Sequence, residues 1–184
     1  LNEFDGIERM NDFVRLQCYL NDEHYFTPWL EDDKPTSFKD ILPMADKATM
    51  KTELSLLPEE QHLLDFKTFS VYYGYQQQIP ICVQEITRLR EITFRTLNEG
   101  SGEACDTDKF DATYMHLFIF DHKNEEIIGA YRIGQTDLLQ KNGDVSQLYL
   151  SQMFNFEPEF INQQQPCLEM GRSFIIEAHQ NSIH

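Results

Sequence analysis

Several charged residues stand in segments that are otherwise suited to burial. Arg132 interrupts the apolar run 127–133, and Glu169 and Arg172 interrupt the run 168–176. Arg90 lies at the edge of an apolar helical stripe. Between them, after residue 98, comes an acidic loop, Glu99-Gly-Ser-Gly-Glu, followed by Asp106, Asp108 and Asp111. Each charge alone reads more simply as half of an ion pair. Two arginines and a glutamate on adjacent apolar strands, facing an acidic loop, are costly to bury without pairing or function. A carboxylate in such a place can take a proton from an amine. A guanidinium fork can hold a carboxylate of a ligand or of the protein itself. For Arg132 and Arg172 both roles stay open: a carboxylate-bearing acceptor, or ion pairs with Asp108 and Asp111.

Other constellations carry less. His116 and Asp121 have the spacing of a His base held by an Asp, as in glycerolipid acyltransferases. The residues between them, Leu-Phe-Ile-Phe, favour extended structure. Alternation along a strand then puts the two side chains on opposite faces, so a strand-entry His and a turn Asp are expected. The cysteines, Cys18, Cys82, Cys105 and Cys167, are far apart and form no cluster with histidine. No metal site is expected, and reduced thiols fit a cytoplasmic protein.

The elements that must position these residues follow from periodicity. Residues 7–20 carry apolar side chains at helical spacing; a polar stretch with Pro28, Pro35, Pro43 and the acidic run 31–33 reads as linker. Pro58 suits the first turn of a short helix to about residue 64. Residues 69–73 read as the first strand. Pro80 opens the clearest helix, with Val83, Ile86, Leu89, Thr93 and Leu97 on one face and Gln84, Arg88, Glu91 and Arg95 on the other; Gly100 and Gly102 end it. Residues 116–120 and 127–133 are expected to form a hairpin around a polar turn, and residues 168–176 a further strand. Alternation there places Glu169, Gly171 and Ser173 on one face and Met170, Arg172 and Phe174 on the other. Strand, long helix, hairpin and strand, in that order, suit an α/β fold: a mixed sheet with flanking helices. The fold is expected to be incomplete at the C-terminus, because a sheet of this kind continues into a further helix and strands.

The net charge of −16 over 184 residues disfavours nucleic acid and simple adsorption to anionic lipid, both of which use clustered Lys and Arg. No apolar run is long enough to span a bilayer, and residues 1–10 do not have the layout of a signal peptide.

The blocks Arg88-Leu-Arg-Glu-Ile-Thr-Phe-Arg, Glu99-Gly-Ser-Gly, Asp108-Lys-Phe-Asp-Ala-Thr-Tyr-Met-His-Leu, Ile128-Gly-Ala-Tyr-Arg, Leu148-Tyr-Leu-Ser-Gln-Met-Phe-Asn-Phe and Leu168-Glu-Met-Gly-Arg-Ser-Phe-Ile occur in order and at suitable spacing. Together they resemble the GNAT-related ornithine-lipid-type N-acyltransferases, often labelled "putative hemolysins". N-acyl amino acid synthases and acyl-homoserine-lactone synthases are similar and more distant. The resemblance covers about residues 66–180. Residues 7–65 resemble the end of a lysophospholipid-acyltransferase-like domain fused upstream, so that 1–65 is expected to be its helical remnant and linker and 66–184 the N-terminal part of the GNAT-like N-acyltransferase domain.

The resemblance implies transfer of a fatty acyl group from a thioester to a primary amine, such as ornithine, another amino acid or an amino-lipid precursor. The donor is acyl carrier protein or coenzyme A, with no tightly bound cofactor. After Arg172 the sequence lacks the glycine-lined pyrophosphate loop of an ordinary GNAT, which favours the carrier protein. Arg88, Arg90 and Arg95 on one helix are the expected carrier-docking patch. Glu169 is the expected base, and Gly171 is the residue that allows a splayed strand to turn a backbone N–H toward the developing oxyanion. Arg132, Arg172, Asp108, Asp111 and Glu99 are expected at the acceptor. A cytoplasmic location is expected, with peripheral contact to the membrane's inner face. Two alternatives stand beside the enzyme: a non-catalytic module that binds acyl carrier or acyl chains, and a structural appendage of a lysophospholipid acyltransferase.

Overall fold

The computed structural model describes residues 37–140, 144–156 and 166–180. The expected helix at 7–20, Pro28, Pro35, the acidic run 31–33 and Cys18 lie outside the described residues. All described residues belong to one compact unit, Ser37–His184. In chain order its elements are α1 (Lys47–Leu56), a 3-10 turn (Glu59–Gln61), β1 (His62–Phe66), β2 (Phe69–Tyr75), α2 (Pro80–Thr96), β3 (Met115–Asp121), β4 (Glu126–Gln135), α3 (Thr136–Leu139), a second 3-10 turn (Tyr149–Gln152), β5 (Leu168–Ile175) and α4 (Glu177–Gln180). The five strands pair in sequence order, each antiparallel to the next. The α/β class expected from the sequence is therefore the class observed.

One face of the sheet meets α1 and α2. Tyr72, Phe118, Ala130 and Phe174 stand in line across β2 to β5 and pack with Ile79, Cys82, Val83 and Ile86 of the helical layer. Met50 and Leu54 of α1 complete this core. The 65/66 boundary expected from the sequence thus falls inside the compact unit: α1 has an apolar side that fills the space beside α2.

The residues after Pro58 form only a 3-10 turn and then β1, not a helix to residue 64. The run His62-Leu-Leu-Asp-Phe pairs with β2 through a hairpin in which Lys67 adopts φ 57°. Residues 69–73 are therefore in the second strand. The helix from Pro80 stops at Leu97, ahead of Gly100, and Asn98 turns the chain at φ 60°. Its expected polar face is only partly solvated, with Gln84 exposed and Arg95 half-buried. Arg88, Arg90 and Glu91 are buried, whereas Leu97 is exposed. The segment 39–45 and the loop 99–106 cover that face, with Lys39 and Leu42 donating their N–H groups to the carbonyls of Gly102 and Ala104 and Asp106 donating its own to Thr87.

Glu53 joins the two helices. Its carboxylate accepts the N–H groups of Ile81 (2.8 Å) and Cys82 (2.8 Å), two donors that the first turn of α2 cannot satisfy internally. Ile79, at the cap position, provides no side-chain hydrogen bond, so α1 supplies the cap of α2. Among the described residues no helix is long and apolar enough to cross a membrane.

Glu53→Ala leaves one buried and one half-buried donor without acceptors. It should lower stability by about 1–3 kcal/mol, read from the urea midpoint at unchanged m-value.

Candidate functional site

The acidic loop folds back on the sheet because three of its aspartates find three arginines. Arg90 of α2 donates from Nε to Asp106 (2.7 Å) and from Nη1 and Nη2 to Asp111 (3.2 and 3.1 Å). Arg132 of β4 donates from Nη1 to Asp108 (2.6 Å) and Asp111 (3.2 Å). Arg172 of β5 donates from Nη1 to Asp106 (3.0 Å), and its Nη2 lies 3.6 Å from Asp108. Three formal negatives meet three formal positives, so burial leaves no net charge. Asp111 also accepts the N–H of Asp108 (2.9 Å), and its carbonyl accepts from His116 Nε2 (3.0 Å). Two of the arginines also lie over aromatic rings. Phe110, Tyr114 and Tyr149 surround the Arg132 guanidinium at 5.7, 5.4 and 5.2 Å, and Arg172 lies 5.3 Å from the Tyr149 ring.

Burial pushes the Asp111 carboxyl upward, but the charges of Arg90 and Arg132 and its hydrogen bonds outweigh that and hold it below the ordinary carboxylate range. The His116 imidazole is held below its usual value by burial first, with the nearby Arg90 and Arg132 charges adding to it. It is a strand residue facing Asp111. Asp121 instead closes the β3–β4 turn by accepting from Lys123 N–H and Asn124 Nδ2. The His-Asp spacing therefore forms no dyad.

β5 departs from simple alternation. Gly171 pairs with Arg132 while Phe174 pairs with Ala130, so β5 has one residue more than β4 across this interval. This bulge, at Arg172 and Ser173, shifts the phase of the strand. Glu169, opposite Gly134, and Phe174, opposite Ala130, consequently share the face that carries Arg132. Strict alternation assigns them to opposite faces. The residue that leaves the usual backbone region is Arg172, at φ 52°, not Gly171. A left-handed arginine costs about 1–2 kcal/mol, which its bonds to Asp106 and its stacking on Tyr149 offset. Gly171 contributes openness instead: a Cβ there would meet nothing within 4 Å.

The result is a cleft of about 430 Å³ whose wall includes Glu99, Arg132, Glu169, Gly171 and Arg172. Phe94, Leu150, Met153 and Met170 add an apolar side. Five expected site residues thus line one cavity, and Asp108 and Asp111 stand behind two of its arginines. Glu169 is held tightly. Its carboxylate accepts from the Tyr114 hydroxyl, from Leu150 N–H (2.6 Å) and from Tyr149 N–H (3.2 Å). Tyr114 and Tyr149 are the residues that reading for charge alone overlooks. The signal was present, since both stand within the sequence blocks that carry the resemblance.

The helix arginines do not form a docking patch. Arg90 is wholly enclosed, and Arg88 is buried against Glu85 (2.6 and 2.8 Å). Arg95 is committed to Glu91 (2.8 Å), to the carbonyls of Lys39 and Glu103, and to the Phe38 ring. The loop and the segment 39–45 cover the face that helical periodicity alone leaves in water. Among the described residues no group of three His, Cys, Asp or Glu side chains could hold a metal ion.

Comparison with known proteins agrees with this architecture. The GNAT acetyltransferase domain family matches residues 89–183. A glycine N(alpha)-acyltransferase of Phocaeicola vulgatus is 33% identical over 153 residues, covering 78% of this chain and 45% of its own length. The protein of the same name from Bacteroides thetaiotaomicron is 32% identical over 151 residues, covering 78% of this chain and 44% of its own. The chain therefore spans less than half the length of these relatives. No solved structure matches.

Asp111→Asn removes the charge that Arg90 and Arg132 share while keeping the shape. It should cost about 3 kcal/mol or more, because a buried cation is left under-compensated, and chemical denaturation measures it. The pH dependence has a defined sign. With its folded value lowered, His116 contributes stability that is complete above about pH 6.5 and is lost as pH falls below it, since only the unfolded chain takes up the proton. Asp111, also lowered, keeps its contribution until the pH drops beneath the carboxylate range. Stability should therefore fall between pH 7.5 and 5.5, and His116→Gln should reduce that fall when urea midpoints are compared.

Proposed function

Because the chain belongs to the GNAT acetyltransferase domain family, we propose that it carries the amine-acylating centre of an N-acyltransferase, with Glu169 as the base. The observation that carries this reading is the position of the Glu169 carboxylate. It sits in the wall of the cleft, fixed by three donors, three residues before the bulge in β5. An amine entering there loses a proton to Glu169, directly or through water, and attacks the carbonyl of an acyl thioester. The C–N bond forms, the C–S bond breaks, and the proton removed from the amine balances the departing thiolate as a free thiol. A bulge leaves one residue out of the regular ladder, and a backbone N–H at Arg172 or Ser173 is suited to the developing oxyanion.

The acceptor proposed is an amino acid with a free amine and carboxylate, a class to which the relatives' name also points. Arg172 is the better anchor for such a carboxylate. It is partly exposed in the cleft wall, and its Nε has no hydrogen-bond partner. Arg132 is almost fully enclosed by Asp108, Asp111 and three rings, which fits a structural role. The donor proposed is an acyl thioester of coenzyme A or acyl carrier protein. The internal pairing of Arg88, Arg90 and Arg95 removes the docking argument for the carrier.

The test uses the natural full-length protein with acyl-coenzyme A and acyl carrier protein in parallel, following free thiol and N-acyl product. Glu169→Gln should lower kcat by about 10²- to 10⁴-fold with either donor. Thioester binding without thiol release would point to the non-catalytic module, and an active Glu169→Gln protein would remove Glu169 as the base.

A further inference from the structure

Tyr114 occupies a place that only the absence of a side chain makes available. Gly134 of β4 is the register partner of Glu169. A Cβ built on Gly134 would stand 2.5 Å from Tyr114 Cε1, 2.8 Å from its Cζ and 2.9 Å from Leu139 Cδ1. Real Cβ atoms do not approach so closely, and the obstacle is a rigid ring. The tyrosine ring therefore lies close against the backbone of Gly134, the residue paired with the proposed base. Phe110 meets it edge-on at 5.7 Å, and the Arg132 guanidinium lies 5.4 Å from its centre. Only 2% of Tyr114 is exposed, so packing holds the ring in this place.

The hydroxyl is equally constrained. It accepts the N–H of Tyr149 (2.8 Å) and donates to Glu169 Oε2. The same Tyr149 N–H also reaches Glu169 (3.2 Å), and Leu150 N–H holds the other oxygen (2.6 Å). A glutamate side chain has three rotatable bonds and is half-buried here, so its carboxylate keeps one direction only if donors fix it. Two of those donors belong to a 3-10 turn at the cleft rim; the third, Tyr114, comes from the buried layer.

We propose that Tyr114, seated by the bare backbone of Gly134, is a positioning residue that fixes the Glu169 carboxylate toward the amine site. This inference rests on the reading of Glu169 as the base. Burial, with the bond to Glu169 adding to it, pushes the Tyr114 hydroxyl well above its ordinary value. It therefore remains a protonated donor across the neutral range. Tyr114 itself does not touch the reacting atoms. Its effect is geometric, and a small misplacement of a base is expensive in rate.

The test compares variants of the natural full-length protein in the same thiol-release assay. Tyr114→Phe removes one oxygen and should lower kcat by about 10- to 100-fold, with KM for the amine within about twofold. Gly134→Ala pushes the ring off β4 and should produce a loss of the same kind. The double variant should be no worse than the more impaired single one, because both act through one hydrogen bond. If Gly134→Ala does not fold, Gly134→Ala/Tyr114→Ala, which removes the colliding ring, should fold; continued misfolding there overturns the seating. Wild-type kcat in Tyr114→Phe, with Glu169→Gln still inactive, overturns the positioning role and leaves the base in place. An active Glu169→Gln protein instead overturns the reading underneath.

Discussion

Asp111 has no exposed surface, and the arrangement around the cleft depends on how its charge is satisfied. A buried carboxylate is tolerable only with close, well-directed partners. Arg90 and Arg132 provide them from a helix and a strand that are far apart in sequence. Asp106 and Asp108 extend the pairing to Arg172. The loop that carries the aspartates is thereby tied at once to α2, β4 and β5. Such a network adds little net stability compared with an apolar core of the same shape. Its contribution is specificity, because few other placements of the loop satisfy all six charges.

The bulge in β5 is the second constraint, and it depends on the first. Arg172 keeps a left-handed backbone because its guanidinium is held by Asp106 and by the face of Tyr149. That one backbone angle changes which residues look inward. Phe174 returns to the core face beside Ala130, while Glu169 faces the same side farther along, where the core gives way to the cleft. A single extra residue thus lets one strand contribute to both the packed core and the cleft wall. The same geometry explains why Gly171 is useful without unusual dihedrals: opposite Arg132, it leaves open the space that a side chain would fill.

Away from the cleft, other buried carboxylates do structural work by a similar rule. Glu53 caps α2 from α1. Glu85 joins Arg88 to the N–H of Ala45, and Glu91 gathers Arg95, Ser101 and Gly102. Burial pushes Glu91 upward, but these donors together hold it below the ordinary value. Each carboxylate organises a stretch of backbone that could not form a regular ladder. Glu169 differs in facing a cavity, and that difference separates a structural acid from the proposed base.

The sequence by itself determined the class of fold, the long helix after Pro80 and four of the five described strands, because these rest on local periodicity and turn residues. It also singled out Glu169, Arg132, Arg172 and the acidic loop, since charges inside apolar runs are visible without coordinates. Only the tertiary structure decided what those charges do. Helical periodicity left Arg88 and Arg95 in solvent, with Arg90 at the edge of the apolar stripe, but segments from elsewhere in the chain cover them, and periodicity carries no information about distant covers. Alternation separated Glu169 from Phe174, and a bulge, stabilised by contacts over 60 residues away in sequence, reunited them. Tyr114 was legible only as an aromatic residue. Its place against Gly134 and Glu169 required the pairing of β4 with β5, a register that no local pattern encodes.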